Sequence, residues 1–152
     1  MRLQLISLGR WRQSGPERPL YEHYATRFTS LGKALRLGPL ELVEIAGKDE
    51  TPQALMAACA KGAARLVLDS GGAALSSEGL AQLLSKLRDD GRSAAAFLIG
   101  GADGLASIVP EADRVLSLGA PTWPHLLVRG LMAEQLYRAA TILANHPYHR
   151  GH

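Results

Sequence analysis

The chain has 152 residues, 47% of them hydrophobic and 20% charged, the size and balance of one folded globular domain with a single core. No run of about 18 apolar residues is present, so a membrane-spanning helix is not expected, and the single cysteine, Cys59, excludes an internal disulfide and a cysteine metal cluster. The net charge of +3 and a pI near 9.3 admit a nucleic-acid partner without demanding one.

Strand and helix signals alternate along the chain. "RLQLISL" (2–8) predicts a strand ending at Gly9. Arg10, Arg12 and Arg18 follow this run too closely for a signal peptide, so a cytoplasmic protein that begins with a strand is expected. "ERPLYEHYATRFTSL" (17–31) predicts a helix, with Leu20, Tyr24, Phe28 and Leu31 at spacings of three and four. "LELVEIA" (40–46) predicts the second strand. "TPQALMAACAKG" (51–62) predicts a helix with Thr51 as N-cap, Pro52 at the first helical position and Gly62 at its end. Cys59 within it reads as a small buried hydrophobe. "ARLVLD" (64–69) is the third strand, and "SSEGLAQLLSKLRDDG" (76–91) a helix capped by Ser76 or Ser77 and stopped by Gly91. "AAAFLIG" (94–100) is a nearly unbroken apolar run, the pattern of a strand buried on both faces. A short helix is expected before the strand "RVLSL" (114–118), and a long helix closes the fold from about Pro124 to Ala144. The alternation predicts one α/β domain over 1–152, a mostly parallel sheet with helices on both faces.

In such sheets ligands sit beyond the carboxyl ends of the strands. Three loops at such ends are rich in glycine or proline: "LDSGG" (68–72), "IGGADGL" (99–105) and "LGAPTWPH" (118–125). Glycine lets a ligand approach the backbone closely. Gly and Pro also simply make turns, but three such loops at one sheet edge predict a pocket. No phosphate-loop pattern, HExxH or CxxC pair is present, and Gly100, Gly101 and Gly104 have the wrong spacing for a dinucleotide fingerprint.

The chain ends on "NHPYHRGH" (145–152), with three of its five histidines, an aromatic ring and a guanidinium. His146, His149 and His152 recur every third residue, but Pro147 breaks a helix there and no carboxylate joins them, so no metal site is expected.

Taken together, "FLIGGADGL", "SLGAPTWPHLLVRGLMAEQLYRA" and "NHPYHR" resemble the ribosomal RNA large subunit methyltransferase H family of the SPOUT superfamily. "MRLQLISLG", "LELVEIA" and "LVLDSGGAALSSEGLAQLL" follow the same layout more loosely, so the resemblance covers essentially the whole chain. It implies a SPOUT-type fold with a C-terminal trefoil knot. It further implies a homodimeric enzyme that uses S-adenosylmethionine to methylate N3 of a pseudouridine in helix 69 of 23S ribosomal RNA, in the assembled 70S ribosome. Carried over residue by residue, the cofactor site falls on Leu68, Gly100, Leu118, Gly119, Ala120, Pro121, Thr122 and Trp123. The chain departs from the family at Pro121 and Trp123, where apolar residues such as Leu are common, and it lacks a lysine often found in the stretch "DSGGAALSS".

The chemistry suggests roles for the tail. Uracil N3–H is a poor nucleophile until its proton leaves, so a base or an anion-stabilising group helps. His149 is the candidate base, Arg150 an anion or phosphate clamp, and Tyr148 a group to stack on the target base. His125, opening the last helix, is a candidate to orient the cofactor loop or to contact RNA. Arg129, one turn later, is a candidate phosphate contact. Glu134 and Arg138 are spaced for an ordinary helix-surface ion pair, Tyr137 suits a core or dimer contact, and His23 the surface. The alternative to an enzyme is a non-enzymatic RNA-binding module of the same fold.

Overall fold

A computed structural model describes residues 1–150; Gly151 and His152, and with them the last of the regularly spaced histidines, lie outside the described residues. The strands are β1 (Arg2–Leu8), β2 (Leu40–Ile45), β3 (Ala64–Ala74), β4 (Ala94–Ile99) and β5 (Arg114–Ser117). The helices are α1 (Glu17–Gly32), α2 (Pro52–Ala57), α3 (Ser77–Asp89) and α4 (His125–Leu143). All five strands are parallel, in the order β2-β1-β4-β3-β5. Every residue of β4 is buried, as its unbroken apolar sequence requires of a strand covered on both sides.

Alternation along the strands divides the core in two. Leu3, Leu5, Leu66 and Phe97 face α1, α3 and α4, in the larger cluster. Ile6, Leu8, Val67 and Leu98 face α2 and a short 3-10 turn at Ala106–Glu111. Helices therefore cover both faces, but three lie on one side and a single short one on the other. Phe28 and Phe97, both fully buried, anchor the thicker side; each contributes roughly 1.5–3 kcal/mol by leaving water.

The caps follow the sequence signals. Thr51 Oγ1 accepts from Ala54 N–H at 3.2 Å and Ser76 Oγ from Gly79 N–H at 3.0 Å. Three elements differ from expectation. Helix α2 ends at Ala57 and not at Gly62, because the buried Gln4 of β1 takes the Ala60 N–H at 2.9 Å and draws the following residues into a turn. The segment before β5 is a 3-10 turn, with Pro110 inside it. Strand β3 runs five residues beyond Asp69: Leu68 and Ala73 both lie opposite Leu116, with residues 69–72 bulging between them. Gly72 makes this possible, since a Cβ there would sit 2.7 Å from the backbone of Leu116 and Val115.

Candidate functional site

The carboxyl ends of β3, β4 and β5 open on a cavity of about 260 Å³. It is slightly smaller than the roughly 300–1,000 Å³ of typical small-molecule pockets. The three glycine- and proline-rich loops form its walls. Of the eight residues expected at a cofactor site, Leu68, Gly100, Leu118, Gly119, Pro121, Thr122 and Trp123 line the cavity; Ala120 is exposed and does not. Leu68, Ile99, Leu105 and Val128 give it apolar surface, and Asp69 a carboxylate. Gly101 and Gly104 leave open space where a side chain would stand, whereas a Cβ on Gly100 would press within 2.7 Å of Leu105. Gly100 thus serves packing as well as the wall.

The loop after β5 is held by its own side chains. Ser117 Oγ accepts from Gly119 N–H at 3.1 Å and donates to Gly119 C=O at 2.9 Å. Gly119 has φ +96°, a left-handed conformation that a side chain would strain. Trp123, 39% exposed, donates its indole N–H to Leu118 C=O at 3.2 Å and closes the loop back on itself. Asp69 lies in the 68–72 loop picked out from the sequence but was not named there, and Ser117 was not singled out. The only signal they offered was a polar residue at the end of a buried strand.

His125 is exposed, begins α4 and joins the cavity lining. Arg129 is placed otherwise than the sequence suggested. Its side chain is fully buried and cannot meet a phosphate there. Its Nε donates to Ser7 Oγ at 3.0 Å, Nη1 to Glu44 at 3.1 Å, and Nη2 to Leu8 C=O at 3.1 Å and Gly9 C=O at 2.9 Å. The guanidinium also lies over Trp11, 4.5 Å from the ring centroid. Burial lowers its pKa while the Glu44 carboxylate opposes that shift. The expected phosphate contact thus gives way to a clamp on the end of β1.

The described residues of the tail, 145–150, do not line the cavity of their own chain. Asn145, at φ 53°, adopts the left-handed conformation that ends α4: Asn145 N–H donates to Ile142 C=O at 3.2 Å and His146 N–H to Thr141 C=O at 2.8 Å. The chain then folds back along α4. The Tyr148 hydroxyl donates to Glu134 at 3.0 Å, and its ring packs 4.7 Å from that of Tyr137 and 4.7 Å from the Arg138 guanidinium. Desolvation first, then the Glu134 bond, raise the Tyr148 phenol well above its ordinary value, so it stays protonated. Glu134 and Arg138 do pair, at 2.7 Å, and together they anchor the tail. Tyr137 is buried and His23 exposed, as their positions suggested.

His149 lies between two helices. Its Nδ1 is 3.4 Å from Arg138 Nη1 and its Nε2 is 2.7 Å from Glu78 Oε1. Arginine can only donate, so Nδ1 accepts, and a neutral ring carries its hydrogen on Nε2 and donates it to Glu78. Glu78, the second residue of α3, was not singled out from the sequence; its partner is 71 positions away. Arg150 is exposed. Among the described residues no group of three or more His, Cys, Asp or Glu is placed to hold a metal ion, and no helix is long and apolar enough to cross a membrane. Cys59 is only half-buried, with its thiol toward Leu55 C=O at 3.5 Å and its pKa raised by desolvation.

Comparison with known proteins agrees with this layout. The sequence profile of a family described as "Predicted SPOUT methyltransferase" matches residues 1–149. Curated relatives carrying the name ribosomal RNA large subunit methyltransferase H match end to end. That of Cereibacter sphaeroides is 49% identical, covering 99% of each chain. The Ruegeria pomeroyi protein is 47% identical, again over 99% of each. The Roseobacter denitrificans protein is 48% identical over 99% of this chain and 100% of its own. With a profile match over nearly the whole length and relatives near half identity, the chain belongs to the SPOUT methyltransferase family, among proteins of the ribosomal RNA large subunit methyltransferase H type.

Proposed function

We propose that this chain is an S-adenosylmethionine-dependent methyltransferase acting on N3 of a pseudouridine in helix 69 of 23S ribosomal RNA, in the assembled 70S ribosome in the cytoplasm. The observation that carries the reading is the meeting of three separate loops around one cavity at the carboxyl edge of a parallel sheet. The relatives' names, which specify large-subunit ribosomal RNA, supply the substrate class.

The lining suits the cofactor chemically. Leu68, Ile99, Leu105 and Trp123 offer surface to an adenine ring, Asp69 a carboxylate to hydroxyls or a cationic group, and the 117–123 loop its backbone polar groups. Bound there, S-adenosylmethionine would supply an already activated methyl group. What remains for the protein is to hold the uracil ring in line and relieve it of the N3 proton. His149 is assigned that proton, at Nδ1, because its Nε2–H is committed to Glu78; the long contact from Arg138 Nη1 to Nδ1, 3.4 Å, gives way to the uracil N3–H. Arg150 is assigned to the anionic oxygen or a flanking phosphate. Tyr148, a stacking candidate by its chemistry, is assigned instead to hold the tail on α4, since its ring already packs on Tyr137 and Arg138. His125 is assigned to the rim of the cofactor loop.

Two copies are part of the proposal. Residues 145–150 of the tail lie outside their own chain's cavity, so a homodimer in which one copy's tail faces the other's cavity completes the site. The trefoil knot belongs to the same reading, supported by the edge position of β5 beside β3 and the return of α4 across α1 and α3. Mass spectrometry of 23S ribosomal RNA from cells with and without the gene tests the activity. The reading expects one methyl mass to vanish from a helix 69 pseudouridine on deletion and to return on complementation. An unchanged helix 69 would overturn it in favour of a binding module.

A further inference from the structure

The loop joining β1 to α1 carries two arginines that the site above does not use. Arg10 and Arg12 are exposed, and among the described residues neither has a hydrogen-bond or ion-pair partner. Between them Trp11 turns inward. Its ring lies against the Arg129 guanidinium at 4.5 Å, sits 5.8 Å from the Tyr21 ring, and packs on the larger core cluster. The Trp11 N–H donates to Glu44 at 2.7 Å. Two residues earlier, Gly9 N–H donates to Ile45 C=O at 2.7 Å and Gly9 C=O accepts from Arg129 at 2.9 Å. Two free cations thus flank a pinned residue on a tethered backbone.

The loop also starts at the cavity rim. A Cβ on Gly9 would stand 3.8 Å from His125 Nε2, and His125 lines the cavity. Two acidic groups are engaged, Glu44 with Arg129 and Trp11 and Glu22 with Arg18 at 2.9 Å, while Glu17, which opens α1, lies beside Gly15 at the far end of the loop. Exposed guanidinium groups with no internal partner suit phosphate oxygens. Holding them on an ordered loop lowers the entropy cost of binding.

We propose that the β1–α1 loop is a phosphate-contacting arm for the RNA substrate, with Arg10 and Arg12 making the contacts and the Arg129–Trp11 stack positioning them. This rests on the ribosomal RNA reading above. The contacts fix where the RNA backbone lies and read no sequence.

The test uses the full-length protein and intact ribosomes. Ribosome binding is measured against salt concentration, methyl transfer against ribosome concentration, and S-adenosylmethionine binding by calorimetry. The Arg10→Ala, Arg12→Ala double variant should lower the slope of log affinity against log salt by about 1.4–1.8, at about 0.7–0.9 for each phosphate no longer neutralised. It should raise the KM for ribosomes roughly tenfold or more and leave S-adenosylmethionine affinity unchanged. Trp11→Ala should raise the same KM, and Trp11→Phe, which keeps an aromatic face under Arg129, should restore it. A double variant with wild-type slope and KM, while the wild type methylates ribosomes normally, overturns the arm. So does a double variant whose main defect is in S-adenosylmethionine affinity, which would attach the loop to the cavity. A wild type that neither binds nor methylates ribosomes is a separate result: it removes the RNA reading, and the arm with it.

Discussion

Replacing Arg129 by methionine keeps a long side chain but removes four hydrogen bonds, to Ser7 Oγ, Glu44, Leu8 C=O and Gly9 C=O. The Leu8 carbonyl keeps only the Ser7 hydroxyl, at 3.4 Å, and the partly buried Gly9 carbonyl loses its side-chain donor. A buried acceptor left without a partner costs about 1–3 kcal/mol. Glu44 is 30% exposed and water can take up part of its charge, so its share falls at the low end. The sum is about 3–5 kcal/mol, the range found when one partner of a buried ion pair is removed. At about 2–4 °C per kcal/mol for a chain of this size, the melting temperature should fall by about 6–20 °C. Thermal melting by circular dichroism, with a urea titration showing an unchanged m-value, measures this directly. Arg129→Lys, which lacks the planar fork, should fall between. An Arg129→Met protein as stable as the wild type would refute the clamp and reopen a surface role for this arginine.

Other consequences follow from the site. Trp123→Ala removes a wall of the cavity and the bond to Leu118 C=O, and should weaken S-adenosylmethionine binding about tenfold by calorimetry; equal affinity would place the ligand elsewhere. The Glu78 carboxyl is held below its ordinary 4.5, first by a backbone N–H at the start of α3 and then by His149. Its folded pKa lies below the unfolded one, so its contribution to stability is present above pH 4.5 and is lost as pH falls through the folded value. The stability difference between wild type and Glu78→Gln should therefore shrink below pH 4.5, and a difference constant across that range would contradict the assignment. Asn145→Ala forces a left-handed backbone on alanine and should cost about 1 kcal/mol in urea unfolding, whereas Asn145→Gly should be neutral or slightly stabilising. Equal destabilisation in both would mean that the Asn145 side chain, and not its conformation, holds the turn.

How much of this was legible in the sequence depended on how local each cause was. The β4 run, the Thr51 and Ser76 caps and the glycine-rich strand ends act within a few residues, so the sheet, its helices and the cavity rim could be read in advance. Arg129 could not. Its spacing on α4 looks like that of any arginine near a site, and the acceptors that hold it come from the end of β1 and Gly9, 120 and more positions earlier, and from Glu44 of β2, 85 earlier. The end of α2 was missed for a similar reason, since the group that unwinds it is Gln4. The bulge in β3 requires β5 beside it before Gly72 has any meaning. The tail was recognisable as chemistry, but its seat on Glu134, Arg138 and Glu78 is set by packing between α3 and α4.

If the function is methyl transfer, the loops at 68–70, 99–105 and 117–123 hold a methyl donor. A crystal structure of the protein with S-adenosylmethionine tests it most directly. The ligand should lie against Leu68, Gly101, Leu118 and Trp123, with its methyl group turned toward the mouth of the cavity. A ligand bound elsewhere, or absent at saturating concentration, would contradict it.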